Sequence, residues 1–90
     1  MQIKVDESLG KIFAQVEDRE CVLNFRQKDA ALDFYRTFVP DNLRGQGIAG
    51  QIVLFGLNYA KAKNKKVIPT CGFVRTYIDE HPEWSSIVQG

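Results

Sequence analysis

Ninety residues leave room for one domain, spanning 1–90, and no second one. With 44% hydrophobic and 26% charged residues the chain is not a disordered tail, which would be poor in apolar side chains and strongly charged. Twelve basic against eleven acidic residues give a net charge of +1, which excludes an extended polycation for DNA and an acidic mimic alike.

The first forty residues read as strands. Residues 3–5 form a short one, closed by the polar stretch 6–10. Residues 12–17 alternate Ile12, Ala14 and Val16 against Phe13, Gln15 and Glu17. Residues 21–26 alternate Cys21, Leu23 and Phe25 against Val22, Asn24 and Arg26. A period of two puts each set on one face of a sheet. Asp18, Arg19 and Glu20 are a polar hairpin connection, and residues 27–30 are a second. Residues 31–39 form the longest predicted strand, with Phe34, Tyr35 and Phe38, and Pro40 ends it by removing a ladder donor.

The period then changes. Over residues 47–63, Ile48, Ile52, Phe55, Tyr59 and Ala62 recur in steps of four and three, one face of a helix widened by Val53, Leu54 and Leu57. Lys61, Lys63, Lys65 and Lys66 cluster at its end, where cations complement the helix dipole. Residues 66–69 are a short strand, parallel to the 31–39 strand if the helix is a right-handed crossover. A second helix covers about 73–80, Pro82 stops it, and Trp84, Ile87 and Val88 pack back on the core. The order β-β-β-β-α-β-α is an α+β fold: an antiparallel meander, a βαβ unit and a short C-terminal helix.

Chemistry concentrates where the 31–39 strand gives way to the long helix, at Arg44, Gly45, Gln46, Gly47, Ile48 and Ala49. Glycines let a backbone approach a ligand, and the first N–H groups of a helix have no internal partner, so they bind anions. The pattern Arg-x-x-Gly-x-Ala has no lysine and hydroxyl for a nucleoside-triphosphate loop, and no GxGxxG for a dinucleotide. Cys71 sits ahead of the second helix. A helix N-terminus favours thiolate, whereas a free cysteine is also often a small buried residue, and position alone leaves both open. Cys21 lies mid-strand and reads as core, and Tyr77 reads as packing. His81, before Pro82, reads as a residue closing its helix.

The six residues Arg44 to Ala49 resemble the Gln/Arg-x-x-Gly-x-Gly/Ala acyl-CoA signature of the GNAT acetyltransferase superfamily. The resemblance extends to its short YjdJ-type branch in three separated motifs, from residue 31 to 88. Arg36-Thr37-Phe38-Val39-Pro40 stands where that branch reads His-Thr-x-Val-Pro, so Arg36 replaces the histidine. Ile68-Pro69-Thr70-Cys71-Gly72-Phe73 and His81-Pro82-Glu83-Trp84 follow in order. The resemblance implies a minimal GNAT-like fold with acetyl-CoA or CoA as cofactor. The pyrophosphate would lie on Arg44, Gly45, Gln46, Gly47, Ile48 and Ala49, the pantetheine arm along Phe38 and Val39, and Cys71 would be the catalytic or pocket-lining thiol. The implied function is acyl transfer, most simply acetyl transfer to an amine of a small molecule or protein. A CoA-binding sensor or adaptor without turnover is the alternative. A nucleic-acid binder using the lysines at 61–66 is disfavoured, because periodicity places no stacking aromatics beside them.

No run of 18 apolar residues could span a membrane, and the start carries no charged head and apolar stretch of a signal peptide. The two cysteines suit a reducing compartment, the cytoplasm by default. One histidine with no Cys/His pair leaves no metal site to expect. A monomer is the default state.

Overall fold

A computed structural model describes residues 1–89. Strands β1 (Lys4–Asp6), β2 (Lys11–Val16), β3 (Arg19–Lys28), β4 (Ala31–Phe38) and β5 (Lys66–Ile68) form one sheet in sequence order. The first four are antiparallel neighbours, and β4 pairs β5 in parallel. Helix α1 (Ile48–Ala62) makes the crossover between β4 and β5, and α2 (Gly72–Glu80) follows β5. A 3-10 segment, Pro82–Ile87, then leads to Val88, which bridges in parallel to Val67 on the free side of β5. Trp84, Ile87 and Val88 pack against the core, as their apolar character predicts. The architecture is α+β, a meander feeding a βαβ unit.

The hairpin turns are tighter than the sequence suggests. Val16 pairs Arg19 and Lys28 pairs Ala31, so each turn holds two residues. Glu17 and Asp18 both take positive φ, as does Asp29, which matches the twist of the flanking strands. The ladder therefore runs on through the polar residues Arg19, Glu20, Gln27 and Lys28. At ten residues β3, and not the eight-residue β4, is the longest strand.

The alternation sets out the faces as predicted. Ile12, Ala14, Cys21, Leu23, Phe25 and Phe34 are buried, in one cluster with residues of both helices. One irregularity reorients β4. Asn24 lies opposite Arg36 and Phe25 opposite Phe34, so Tyr35 is the extra residue of a β-bulge. Phe34 points into the core, Tyr35 and Arg36 lie on the other face, and Thr37, opposite the buried Leu23, returns to the helix side.

The buried stripe of α1 is rotated from the predicted one. Ile48, Ile52, Val53, Gly56, Leu57 and Ala60 are buried, whereas Leu54 and Phe55 are well exposed. The cause is Gly56, which sets the helix tightly against the sheet. A Cβ there would stand 2.9 Å from Leu23, 3.1 Å from Phe34 and 3.2 Å from Ile12. Gly56→Val should therefore overpack the core and lift the helix, at a cost of about 1–3 kcal/mol. Each kcal/mol lowers the melting temperature by roughly 4–8 °C for a domain of this size, so a thermal scan reads the effect directly.

Candidate functional site

β4 and β5 pair only over Ala31 to Asp33, opposite Lys66 to Ile68. Beyond that they part, and the chain after β5 is held to β4 by two bonds. The Cys71 N–H donates to the Phe34 carbonyl at 2.9 Å. The Thr70 hydroxyl donates to Asp33, a carboxylate only 4% exposed and also faced by Lys28 at 3.3 Å. From Tyr35 onward, β4 has β3 on one side and no strand on the other.

A cleft of about 430 Å³ opens at this divergence, lined by the end of β4, the start of α1 and Phe73 of α2. That volume lies within the range of small-molecule sites. Phe38, Val39, Leu43, Ile48 and Phe73 supply apolar wall, and Arg44, Gly45, Gly47, Ala49 and Gly50 supply the polar end. Gly47 is the N-cap of α1 at φ 77, with no side chain capping the helix. The first intrahelical bond here runs from Gln51 N–H to the Gly47 carbonyl, so the preceding N–H groups are available to an anion. Gly45 has φ 80, and a Cβ at Gly45 or Gly47 would meet nothing within 4 Å. The two glycines thus leave a cradle that side chains would fill.

Arg44 lines the cleft and also braces its own loop. Its Nε donates to the Val39 carbonyl at 2.9 Å, and its Nη1 lies 2.9 Å from Asp41. The Asp41 carboxylate is fully in solvent, so this pair is weak and an anion could compete for it. Gln46 is exposed on the loop and does not line the cleft. The structure therefore gathers Phe38, Val39, Arg44, Gly45, Gly47, Ile48 and Ala49 around one cavity, with Gln46 outside it.

Cys71, like Gln46, is not among the residues that line the cleft, but it adjoins two that are, Thr37 across from it and Phe73 two residues along the chain. It is the N-cap of α2, and its Sγ is 3.5 Å from the hydroxyl of Thr37. Burial pushes the thiol up, but the Thr37 hydroxyl and the nearby Val74 and Phe73 N–H groups stabilise the thiolate, and the net shift is downward. The sulfur closes no full capping bond, so these N–H groups act as helix-terminus dipoles. Cys21 is the opposite case: fully buried, with its thiol pushed up by that burial. Alkylation by iodoacetamide should consequently modify Cys71 far faster than Cys21. Its rate should level off at lower pH than for an ordinary thiol, because the thiolate is the reactive form. Peptide mapping across a pH series checks both points, and equal labelling of the two cysteines would contradict them.

Thr37, Leu43, Gly50 and Phe73 are lining residues that residue type alone does not single out. Thr37 sits in the Arg36-to-Pro40 motif, but only the bulge at Tyr35 turns it towards Cys71. Tyr77 packs as expected: its ring would touch a Cβ at Gly50 at 3.7 Å and stacks on His81 at 4.0 Å. Ile78, the next residue, is buried. His81 closes α2, its Nδ1 2.7 Å from the Tyr77 carbonyl. Arg36 lies on the opposite sheet face, donating to Asn24 at 2.8 Å.

The family model of the GCN5-related N-acetyl-transferases matches residues 11–87. Protein NATD1 of Xenopus tropicalis is 29% identical over 65 residues, which is 72% of this chain and 60% of that protein. Protein NATD1 of Homo sapiens is 33% identical over 51 residues, 57% of this chain and 45% of that protein. The chain thus spans about half the length of these curated relatives. Among solved structures, a GCN5-like protein from Staphylococcus aureus superposes with a TM-score of 0.77 at 21% identity, covering 99% of this chain and 88% of that one. This likeness concerns the fold.

Proposed function

The chain belongs to the GCN5-related N-acetyl-transferase family, and from that premise we propose that it binds acetyl-CoA in the cleft and transfers acetyl to an amine, as a member of the short YjdJ-type branch. One observation carries this reading. A helix start with unspent N–H groups and two open glycines lines a single cleft, and a thiol with a lowered pKa lies 3.5 Å from the hydroxyl of Thr37, another lining residue.

The residues present fit the ligand's chemistry in order. The N–H groups at the start of α1, with Arg44, would hold the pyrophosphate. The unpaired edge of β4 at Phe38 and Val39 offers backbone groups to an extended amide-bearing chain, as sheet edges do to peptides. Leu43, Ile48 and Phe73 cover its apolar side. When bound, the cofactor supplies an acetyl group activated as a thioester. Cys71 is the chain's nucleophile in this proposal, and the Thr37 hydroxyl is one of the groups that lower its pKa. The N–H groups at the start of α2 would offer donors to the thioester carbonyl oxygen. Both cysteines are free thiols, which suits work in a reducing cytoplasm.

The test combines binding and turnover. Acetyl-CoA should raise the melting temperature with concentration, and the thioester should disappear faster with protein plus an amine panel than without protein. Binding without turnover for any amine would instead mark a CoA sensor or adaptor. No thermal shift at millimolar acetyl-CoA would remove the proposal altogether.

A further inference from the structure

The second substrate must approach from a side that the first leaves open. If the cofactor fills the cleft on the helix-bearing side, the acetyl group beside Cys71 is reached from the opposite sheet face, through the gap where β4 and β5 part. Among the described residues, no helix packs on that face. Resting on the acetyltransferase reading above, we infer that the acceptor is an amine carrying an anionic group of its own, held there by Arg26 and Arg36.

The charge balance near the gap decides the sign. Arg26, Lys28 and Arg36 all lie exposed on this part of the sheet. The carboxylate among them is Asp33, which is buried and already engaged by Thr70, by Lys28 at 3.3 Å and by Arg26 at 3.8 Å. The local field is therefore positive. Both guanidinium groups lie over aromatic rings. Arg26 sits 3.9 Å from the Tyr35 centroid and Arg36 sits 5.3 Å from that of Phe38. A guanidinium braced over a ring is partly pre-organised, and even with one Arg36 nitrogen donating to Asn24 each keeps donors in its planar fork for a carboxylate or phosphate.

The patch is also close to the reaction. Tyr35 follows Phe34, whose carbonyl holds Cys71, and Arg36 precedes Thr37, which touches the Cys71 sulfur. A polyamine brought here would meet like charge. An anionic amine would be drawn in, and the same cations would disfavour its protonated nitrogen, presenting the neutral nucleophile. The C–N bond then forms as the acyl carbon–sulfur bond breaks. The sulfur leaves with the bonding pair and takes up the proton that the nitrogen gives up.

The experiment measures kcat and KM for matched acceptors at saturating acetyl-CoA: an aromatic amino acid, its decarboxylated amine, phosphoethanolamine, spermidine and a lysine-rich peptide. The carboxylate- or phosphate-bearing amines should exceed the uncharged amine and spermidine by about tenfold or more in kcat/KM. The first and third acceptors distinguish carboxylate from phosphate as the anionic group. Arg36→Gln should raise KM for the anionic amines about tenfold with little change in kcat, and so narrow the anionic-to-uncharged ratio. Arg26→Gln should do the same, with a urea midpoint to check its buried Asp33 partner. Spermidine or the lysine-rich peptide as best acceptor, or an unchanged ratio in both variants, would overturn the inference. The acetyl-CoA thermal shift and the consumption of thioester with any amine in the panel, whichever is preferred, separate the two levels. If they persist while the preference fails, only the acceptor assignment falls, and if they are absent, both fall.

Discussion

Gly47→Val is expected to abolish the acetyl-CoA-dependent rise in melting temperature and to weaken binding by more than about 100-fold. At ligand concentrations near 100 times Kd, binding stabilises a fold by about 2.7 kcal/mol, or roughly 10–20 °C here, so the loss is large against experimental scatter. Two effects act together. Gly47 sits at φ 77, where a β-branched residue is strained by about 1–3 kcal/mol and would pull the first turn of α1 out of line. Its Cβ would also project into space that no protein atom occupies, in a cleft that the residue itself lines. Asn58→Ala is the control. Asn58 is exposed on α1 and bonds only the Leu54 carbonyl there, so its loss should leave the ligand shift intact. A urea midpoint on Gly47→Val shows that the variant is folded. A folded variant that still shifts fully with acetyl-CoA would put the anion site elsewhere.

What made Gly47 a candidate from sequence is local: a strand, a glycine pair and a helical period, all within a dozen residues. The sheet was legible for the same reason, since Ile12/Ala14/Val16 and Cys21/Leu23/Phe25 declare their faces by alternation alone. The misreadings lie where a distant partner decides. The steps of four and three carry the stripe of α1 through Phe55, yet the contact with Leu23, Phe34 and Ile12 is made through Gly56, whose signal is the absence of a side chain. The bulge at Tyr35 leaves no mark in β4 itself, because it is a property of the register with β3. Thr37 and Cys71 are 34 residues apart, and no periodicity connects them. The hairpin connections read longer in the sequence than they are, because Glu17, Asp18 and Asp29 adopt positive φ without being glycine.

The largest effect on turnover is expected from Cys71→Ala, a loss on the order of 10³-fold or more, comparable to removal of a nucleophile in other covalent mechanisms. Incubated with acetyl-CoA and no acceptor, the wild-type chain should gain the mass of one acetyl group on Cys71, and adding amine should discharge it at the turnover rate. Cys21→Ala should lose little activity, since Cys21 is sealed in the core. The alternative chemistry is direct attack of the amine on the bound thioester. It needs only positioning and donors to the carbonyl oxygen, which Cys71→Ala would leave in place. Retention of most turnover by that variant would make Cys71 a lining residue, and an acetyl group that accumulates but never discharges would mark a side reaction. Thr37→Val sharpens the distinction. It removes the hydroxyl facing the sulfur, one of the groups that lower the thiol, so the Cys71 pKa should rise. In the covalent route the pH at which activity reaches half its plateau should rise with it, and it should track the alkylation profile of Cys71 in the same variant. In the direct route the alkylation profile should move and the activity profile should not.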